Sequence, residues 1–243
     1  MRRAVTTGCE ELDILLGGGL FFGEAVLVYG EAETGKTTLA IQCAVNAARM
    51  GFKTLYVDSD NAFNPIRLTQ IAEIDRDEVA SSIMVFNPQG FEEQSDVIDH
   101  LHVYLTGNTK LLIVDTITTL YRLEMGDKEE TFLLNRELNR QLAFIVEVTR
   151  RKRIATFLTS QVRSIVDDGM EEESPIEPVG TRVLKFWADK ILRLERTARN
   201  SVIKVSLEKP TNTKGPLQAY LKISSEGIKD WRRNALQSSD WRL

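Results

Sequence analysis

The stretch that decides the fold is Gly30-Glu31-Ala32-Glu33-Thr34-Gly35-Lys36-Thr37-Thr38. It matches the pattern G-x-x-x-x-G-K-[ST] at every fixed position. Residues 25–29 before it form a short apolar run that predicts a buried strand, and residues 38–50 after it carry apolar side chains at helical spacing. A strand, a glycine loop and a helix in this order are the structural context that the pattern requires.

The residue types of this stretch suit the binding of phosphate. Gly30 and Gly35 lack a Cβ, so the backbone can bend and approach a ligand closely. The N–H groups of the loop converge at the positive end of the following helix, where a phosphate is stabilised. Lys36 can reach the β- and γ-phosphates, and the Thr37 hydroxyl can bind Mg²⁺. We therefore expect a nucleoside triphosphate at residues 30–38, with a chance match as the alternative.

Length and composition are those of an ordinary globular chain. The 243 residues allow one large domain or two small ones. No apolar run has the length of a membrane span, and two cysteines argue against a disulfide scaffold, so we expect a cytoplasmic protein. The net charge of −4 argues against DNA binding by overall charge, and any DNA contact would come from a local basic patch.

The order of apolar and amphipathic segments predicts an α/β fold. Further buried strands are expected at 54–58, 83–86, 110–115 and 154–161, with helices at 65–72, 91–106 and 130–153. Residues 164–181 have no periodicity and predict an exposed loop. Apolar and polar residues alternate at 190–195, 201–207 and 219–223, as in half-buried antiparallel strands. The predicted architecture is a mainly parallel central sheet flanked by helices, with a C-terminal antiparallel β extension.

Three polar residues end predicted strands and are candidates for the same site. Asp115 can hold the water shell of Mg²⁺, although a strand-ending Asp also starts ordinary turns. Asp60 can orient and polarise water against the γ-phosphate, or it can cap a helix or turn. Gln161 can sense the γ-phosphate through its amide, or it can be a satisfied polar strand end.

Five motifs occur in an order that resembles a known superfamily. They are Thr6-Thr7-Gly8 with Leu12-Asp13-Ile14-Leu15-Leu16-Gly17-Gly18-Gly19, the phosphate loop, Tyr56-Val57-Asp58-Ser59-Asp60, Leu111-Leu112-Ile113-Val114-Asp115-Thr116, and Thr159-Ser160-Gln161-Val162. Over about residues 5–231 the chain resembles the RecA/RadA recombinase superfamily. It is most similar to the short archaeal paralogues of RadA that lack an amino-terminal helix-hairpin-helix domain. The resemblance implies a RecA-type P-loop ATPase core, ATP and Mg²⁺ as ligands, and a single domain over residues 1–243.

The same resemblance implies roles for three side chains. Asp60 falls at the position of the recombinase catalytic glutamate, and because its side chain is one methylene shorter, hydrolysis should be slow. Arg67 falls at the position of an arginine that stacks on adenine, with a solvated helix charge as the alternative. Gln161 falls at the position of the glutamine that couples the γ-phosphate to the DNA-binding loop after it.

The two DNA-binding loops that the resemblance implies have unfavourable charge. The first falls near 122–136, where Arg122, Lys128 and Arg136 stand among four acids. The second, 164–181, carries six acids and no Lys or Arg, so it would repel phosphate; it is a solvated loop or a docking surface for a basic partner. DNA binding is expected instead through basic residues elsewhere: Arg150, Arg151, Lys152, Arg153, Arg193, Arg196, Arg199, Lys204, Lys209 and Lys214.

Together these features favour an accessory recombinase paralogue that binds DNA, hydrolyses ATP weakly, and assists or regulates homologous recombination and repair. The expected protein partners are the main recombinase RadA or a Holliday junction nuclease. A homo-oligomer stays open, but long filaments are not expected, because no Phe-x-x-Ala segment precedes residue 6. The alternatives are a KaiC-like signalling ATPase, which the lack of a duplicated core disfavours, and a nucleotide-dependent scaffold without a DNA role.

Overall fold

The structure is a computed structural model that describes residues 3–164, 176–178, 180–210 and 215–231. The strands are β1 (Ala4–Val5), β2 (Leu20–Phe21), β3 (Ala25–Gly30), β4 (Lys53–Asp58), β5 (Ile83–Phe86), β6 (Thr109–Asp115), β7 (Ala155–Ser160), β8 (Val162–Ser164), β9 (Ile176–Pro178), β10 (Lys190–Arg196), β11 (Val202–Lys209), β12 (Gln218–Ser224) and β13 (Gly227–Asp230). The helices are α1 (Glu10–Leu15), α2 (Lys36–Arg49), α3 (Pro65–Ala72), α4 (Arg76–Ser81), α5 (Phe91–Asp99), α6 (Leu101–Tyr104), α7 (Thr119–Leu123), α8 (Lys128–Lys152) and α9 (Thr181–Trp187).

One large sheet organises the molecule. Its nine strands follow the order β13-β12-β11-β10-β3-β7-β6-β4-β5. Neighbouring strands pair in parallel along the run β10-β3-β7-β6-β4-β5. On the other side of β10, neighbouring strands pair antiparallel along the run β10-β11-β12-β13. The predicted parallel sheet with an antiparallel C-terminal extension is therefore confirmed. Within the described ranges, no helix is both long enough and apolar enough to cross a membrane.

The central strands are buried because helices cover both faces of the sheet. On β3, Val26 and Val28 pack in the core that contains α2, whereas Leu27 and Tyr29 pack in the core that contains α5 and α8. A parallel strand with two covered faces needs apolar residues at consecutive positions. This explains why the strand before the phosphate loop is a continuous apolar run rather than an alternating one.

The structure differs from the sequence-based expectation in three places. The stretch 190–195, predicted as antiparallel, forms β10, which pairs in parallel with β3 on one side and antiparallel with β11 on the other. The predicted helix 91–106 is divided into α5 and α6, because His100 leaves helical geometry at φ −94° and ψ 7°. Part of the predicted loop 164–181 pairs as β8 and β9. Residues 165–175 of that loop lie outside the described residues.

The buried side chain of Gln42 ties three segments together. Its amide nitrogen donates to the carbonyl oxygens of Thr7 (2.8 Å) and Ile228 (2.9 Å), and its carbonyl oxygen accepts from the Ile228 N–H (2.6 Å). Gly227 must be glycine here, since a Cβ would lie 2.4 Å from the Gln42 carbonyl oxygen and φ is +113°. The helix after the phosphate loop is thereby fixed to the amino-terminal segment and to β13.

Replacing this residue tests how much the link contributes. Gln42→Ala should lower the free energy of unfolding by about 3 kcal/mol, because buried backbone groups of Thr7 and Ile228 lose their partners. Urea denaturation followed by circular dichroism measures the change. Gln218→Ala, on an exposed side chain, is the matched control and should leave stability nearly unchanged. Equal stabilities of the two variants would contradict a structural role for Gln42.

Candidate nucleotide site

The phosphate loop connects the end of β3 to the start of α2. Gly35 has φ +86°, and a Cβ at this position would lie 2.9 Å from Cδ1 of Ile223 on β12. A Cβ on Gly30 would lie 2.3 Å from the carbonyl oxygen of Leu194 on β10. Gly30 is therefore required by packing against the backbone of β10, and Gly35 by its backbone conformation.

The Lys36 side chain lies across this loop. Its ammonium donates to the carbonyl oxygens of Gly30 (2.9 Å) and Glu31 (2.7 Å), and only 8% of the residue is exposed. Burial lowers the pKa of Lys36, and the nearby carboxylates of Asp115 and Asp60 oppose that shift. The loop is closed further by the Thr34 hydroxyl, which donates to the Glu31 carbonyl (2.8 Å). The result is a compact, cation-bearing loop at the end of a buried strand.

Asp115 lies fully buried at the end of β6. The Tyr56 hydroxyl on β4 donates to one of its oxygens (2.7 Å), and the Thr159 hydroxyl on β7 donates to the other. Burial raises the pKa of Asp115, while hydrogen bonds from Thr159, Tyr56 and Thr37 lower it in part. The Asp115 carboxylate therefore lies next to Thr37 of the phosphate loop and is held by side chains from β4 and β7, the two strands that flank β6.

Asp60 and Gln161 meet above this carboxylate. The Asp60 carboxylate accepts from the Thr119 hydroxyl (2.8 Å) and from the Gln161 amide (3.3 Å). The carbonyl oxygen of Gln161 in turn accepts from the guanidinium of Arg122 (3.2 Å). Two residues that the sequence places about a hundred positions apart are thus in direct contact, and both are linked to α7.

Most of the sequence-predicted residues line one cavity of about 400 Å³. Its lining residues are Ala32, Glu33, Gly35, Lys36, Thr37, Thr38, Asp60, Thr116, Gln161 and Val162. Asp115 lies behind Thr37, and Gly30, Glu31 and Thr34 form the base of the loop. The carboxyl ends of parallel strands commonly carry ligand sites, and this cavity lies at such an edge.

Arg67 is not brought to this cavity. Its guanidinium donates to the carbonyl oxygens of Ser224 (2.7 Å) and Ser225 (2.6 Å), at the turn between β12 and β13, and to the Gln70 side chain (3.2 Å). Burial lowers the pKa of Arg67. The guanidinium therefore stabilises a turn of the antiparallel extension in this structure, and contact with adenine stays a prediction.

Sequence reasoning missed several residues of the site. Tyr56, Thr159 and Thr119 act through the carboxylates that they bind, and no local pattern distinguishes them from ordinary strand and helix residues. Arg196 at the end of β10 donates to the Ala32 carbonyl (2.6 Å) and pairs with Glu33 (3.1 Å). Only the register of β10 beside β3 brings Arg196 to the phosphate loop, so an expectation of strand pairing could have identified it.

Several basic residues named as DNA contacts already have acidic partners. Arg193 and Lys204 both pair with Glu195, at 3.0 and 3.5 Å, and Arg150 pairs with Asp189 at 3.3 Å. Arg151 and Lys152, at the end of α8, are exposed. Lys214 lies outside the described residues. The basic end of α8 is consequently the better-exposed part of the predicted patch.

Comparison with known proteins defines the class. A family model described as Rad51 matches residues 2–231, which is nearly the whole chain. The chain therefore belongs to the Rad51 family, whose RecA-like fold agrees with the sheet order and the phosphate loop described above.

Individual relatives narrow this assignment. The "DNA repair and recombination protein RadB" of Thermococcus kodakarensis is 35% identical over 229 residues, which cover 93% of this chain and 99% of that protein. The protein of the same description from a strain of Methanococcus maripaludis is 32% identical over 218 residues, covering 89% and 96%. A solved structure described as the RadB recombinase superposes with a TM-score of 0.79 at 33% identity, covering 94% of this chain and all of that one. Within the Rad51 family, the chain belongs to the RadB group.

The burial of Asp115 has a measurable consequence for stability. Because burial raises its pKa above the unfolded value, the folded chain favours the protonated form, and ionisation costs stability as pH rises through that pKa. In metal-free buffer, Asp115→Asn should therefore gain stability relative to the wild type as pH increases from acidic to neutral. Urea unfolding at a series of pH values, with a chelator present, measures this difference.

The control for this prediction is Asp77→Asn, which changes a fully exposed carboxylate. Its stability should follow that of the wild type throughout the series. A difference between Asp115→Asn and wild type that is constant with pH would show that ionisation of Asp115 carries no cost in the folded state.

Proposed function

We propose that this chain is an ATP-binding, weakly ATP-hydrolysing member of the RadB group that binds DNA and assists or regulates homologous recombination and repair. The observation that carries the proposal is the convergence of Lys36, Thr37, Asp60 and Gln161 on one cavity, with Asp115 directly behind Thr37. Family membership and the DNA repair and recombination description of the relatives support the cellular role. We assign residues 1–243 to one RecA-like ATPase domain.

The residues present suit a phosphate chain and Mg²⁺. The N–H groups of residues 30–38 lie at the amino terminus of α2, where the helix dipole and the Lys36 ammonium favour anionic oxygens. Thr37 and Asp115 offer the hard oxygen ligands that Mg²⁺ prefers, directly or through water. When bound, Mg²⁺ neutralises charge that develops on the phosphate oxygens during transfer. Tyr56 and Thr159 hold the Asp115 carboxylate in its orientation.

Slow turnover follows from the position and the partners of Asp60. Its side chain is one methylene shorter than that of a glutamate, and its carboxylate already accepts hydrogen bonds from Thr119 and Gln161. A general base must come within hydrogen-bonding reach of the water that it polarises, and a displacement of about 1 Å has a large cost in rate. We assign Asp60 the role of orienting water and Gln161 that of sensing the γ-phosphate.

DNA binding is assigned to basic patches rather than to the acidic stretch 164–181. The exposed end of α8, with Arg151 and Lys152, is the first choice, because Arg193 and Lys204 share Glu195 as an ionic partner. The protein partners that fit the RadB group are the main recombinase RadA or a Holliday junction nuclease. ATP occupancy would regulate these contacts, in a homo-oligomer or a monomer.

The catalytic assignment predicts the behaviour of Asp60→Glu. The added methylene moves the carboxylate towards the attacking water, so ATP turnover should rise about tenfold. Phosphate release with saturating Mg²⁺ and ATP measures the rate. Lys36→Ala, which removes the phosphate-loop cation, sets the background and should also lose ATP binding by equilibrium dialysis. Unchanged turnover in Asp60→Glu, with ATP binding intact, would remove Asp60 from the water-orienting role.

The DNA assignment predicts a binding curve that depends on salt. Fluorescence anisotropy with a labelled poly-dT oligonucleotide should show binding at about 50 mM salt that weakens steeply towards about 200 mM, because bound counterions are released. The double variant Arg151→Ala, Lys152→Ala should bind more weakly and with a shallower salt slope. The control pair Arg193→Ala, Lys204→Ala should change affinity less, since both side chains are already ion-paired. No binding at low salt would exclude direct DNA contact.

A further inference from the structure

The connection between α7 and α8 carries exposed apolar side chains that the nucleotide site does not use. Leu123 ends α7, Met125 follows it, and Phe132 and Leu133 lie in the first turns of α8; their exposed fractions are 75, 44, 66 and 50%. These four residues, within eleven consecutive positions, are called here the apolar hairpin surface. A concentration of large exposed apolar side chains of this kind marks an interaction site.

The hairpin that presents this surface is held by specific hydrogen bonds. Asp127 begins α8 with a capping box, in which its side chain accepts from the Glu129 and Glu130 N–H groups and the Glu130 side chain accepts from the Asp127 N–H. The Tyr121 hydroxyl donates to the Asn135 side chain (3.0 Å), which fastens α7 to α8. The apolar side chains are therefore displayed on a defined helical scaffold, which favours docking of a partner with a matching shape.

Acidic residues surround the apolar hairpin surface. The exposed acids among them are Glu124, Asp127, Glu129 and Glu130. Glu137, further along α8, is paired with Arg140 at 2.7 Å and adds no net charge to the rim. Three basic residues, Arg122, Lys128 and Arg136, occupy the same segment, and Arg122 is bound to Gln161. The rim of this surface thus carries an excess of negative charge, which selects a partner of opposite sign.

We propose that the apolar hairpin surface binds an amphipathic helix of a partner protein, with Leu or Phe on one face and Lys or Arg beside it. In recognition of this kind, apolar residues at helical spacing on the partner supply affinity and flanking charges supply specificity. The surface shares no residue with the cavity at the phosphate loop, so the proposal does not rest on ATP binding or on turnover.

Charge argues against the other occupants. Two copies that met through this surface would place acidic rims against each other, which costs binding energy. Single-stranded nucleic acid needs a positively charged groove beside its aromatic stacking platforms, and the rim here has the wrong sign. A basic amphipathic helix satisfies both the apolar side chains and the acidic rim.

Two designed peptides of about five helical turns provide the probe. One places Leu at positions i, i+3, i+4 and i+7 with Lys elsewhere, and the other has the same composition in an order without helical periodicity. Fluorescence anisotropy with the full chain should show at least about tenfold tighter binding of the periodic peptide, because only that peptide presents a continuous apolar face. Equal binding of both peptides would mean charge attraction alone and would overturn the proposal.

The double variant Phe132→Ser, Leu133→Ser tests the location. It should weaken binding of the periodic peptide about 30-fold, as truncation of central anchors does. Charge reversal by Glu129→Lys, Glu130→Lys should weaken it mainly at low salt. Ile74→Ser, which changes a side chain that is 97% exposed on another part of the chain, is the matched control and should bind as the wild type does. An unchanged affinity in the Phe132, Leu133 variant would overturn the proposal, provided that its circular dichroism and ATP binding match the wild type.

Three further results would assign another occupant and also overturn the proposal. A dimer in sedimentation equilibrium that becomes monomeric in the Phe132, Leu133 variant would identify a second copy. Loss of poly-dT binding in that variant would identify nucleic acid. The third result comes from a variant truncated after Trp231. If this variant binds the periodic peptide about tenfold tighter than the full chain, the basic segment after Trp231 competes for the surface and is its occupant.

Discussion

The structure depends on one buried carboxylate, that of Asp115. An ionisable group without solvent exposure is costly unless its oxygens are hydrogen-bonded, and the donors here come from both neighbouring strands, Tyr56 on β4 and Thr159 on β7. These bonds fix the register of the three strands at the edge where the phosphate loop ends. The same carboxylate lies next to Thr37, so the bonds that satisfy it also hold it beside the phosphate-loop threonine, where we propose that Mg²⁺ binds.

The short helix α7 connects this edge to the surface. At its start Thr119 donates to Asp60, and one turn later Arg122 donates to Gln161, so both residues assigned to the γ-phosphate contact the same helix. At its end Leu123 is exposed and leads into the apolar connection to α8. The fold therefore links the proposed partner surface and the candidate nucleotide site through α7, and coupling between them requires two arrangements of this helix that each ligand favours differently.

The sequence predicted those parts of the fold that depend on local patterns. The runs at 25–29 and 54–58 are apolar at successive positions because helices cover both faces of the sheet, and the pattern around Lys36 is fixed by phosphate chemistry. Strand pairing is not local, and the alternation at 190–195 suits a parallel as well as an antiparallel neighbour. The antiparallel pairing of β10 with β11 was therefore predicted, but its parallel pairing with β3 was not. Tyr56, Thr159 and Arg196 could not be found for the same reason, since each acts across a strand or loop boundary that only the folded chain creates.

The antiparallel extension is more than an appendage of the sheet. A Cβ on Gly35 would lie 2.9 Å from Cδ1 of Ile223 on β12 and 3.2 Å from Cδ1 of Ile228 on β13, and Gln42 holds the backbone of Ile228 against α2. Arg67 adds a second link from α3 to the carbonyl oxygens of the β12–β13 turn. Displacing this turn would therefore disturb the conformation of the phosphate loop directly. In this chain, a left-handed glycine of the phosphate loop is therefore packed against aliphatic side chains of the distant β12–β13 hairpin, so the shape of a loop that ends at residue 38 depends on residues as far along the chain as β13.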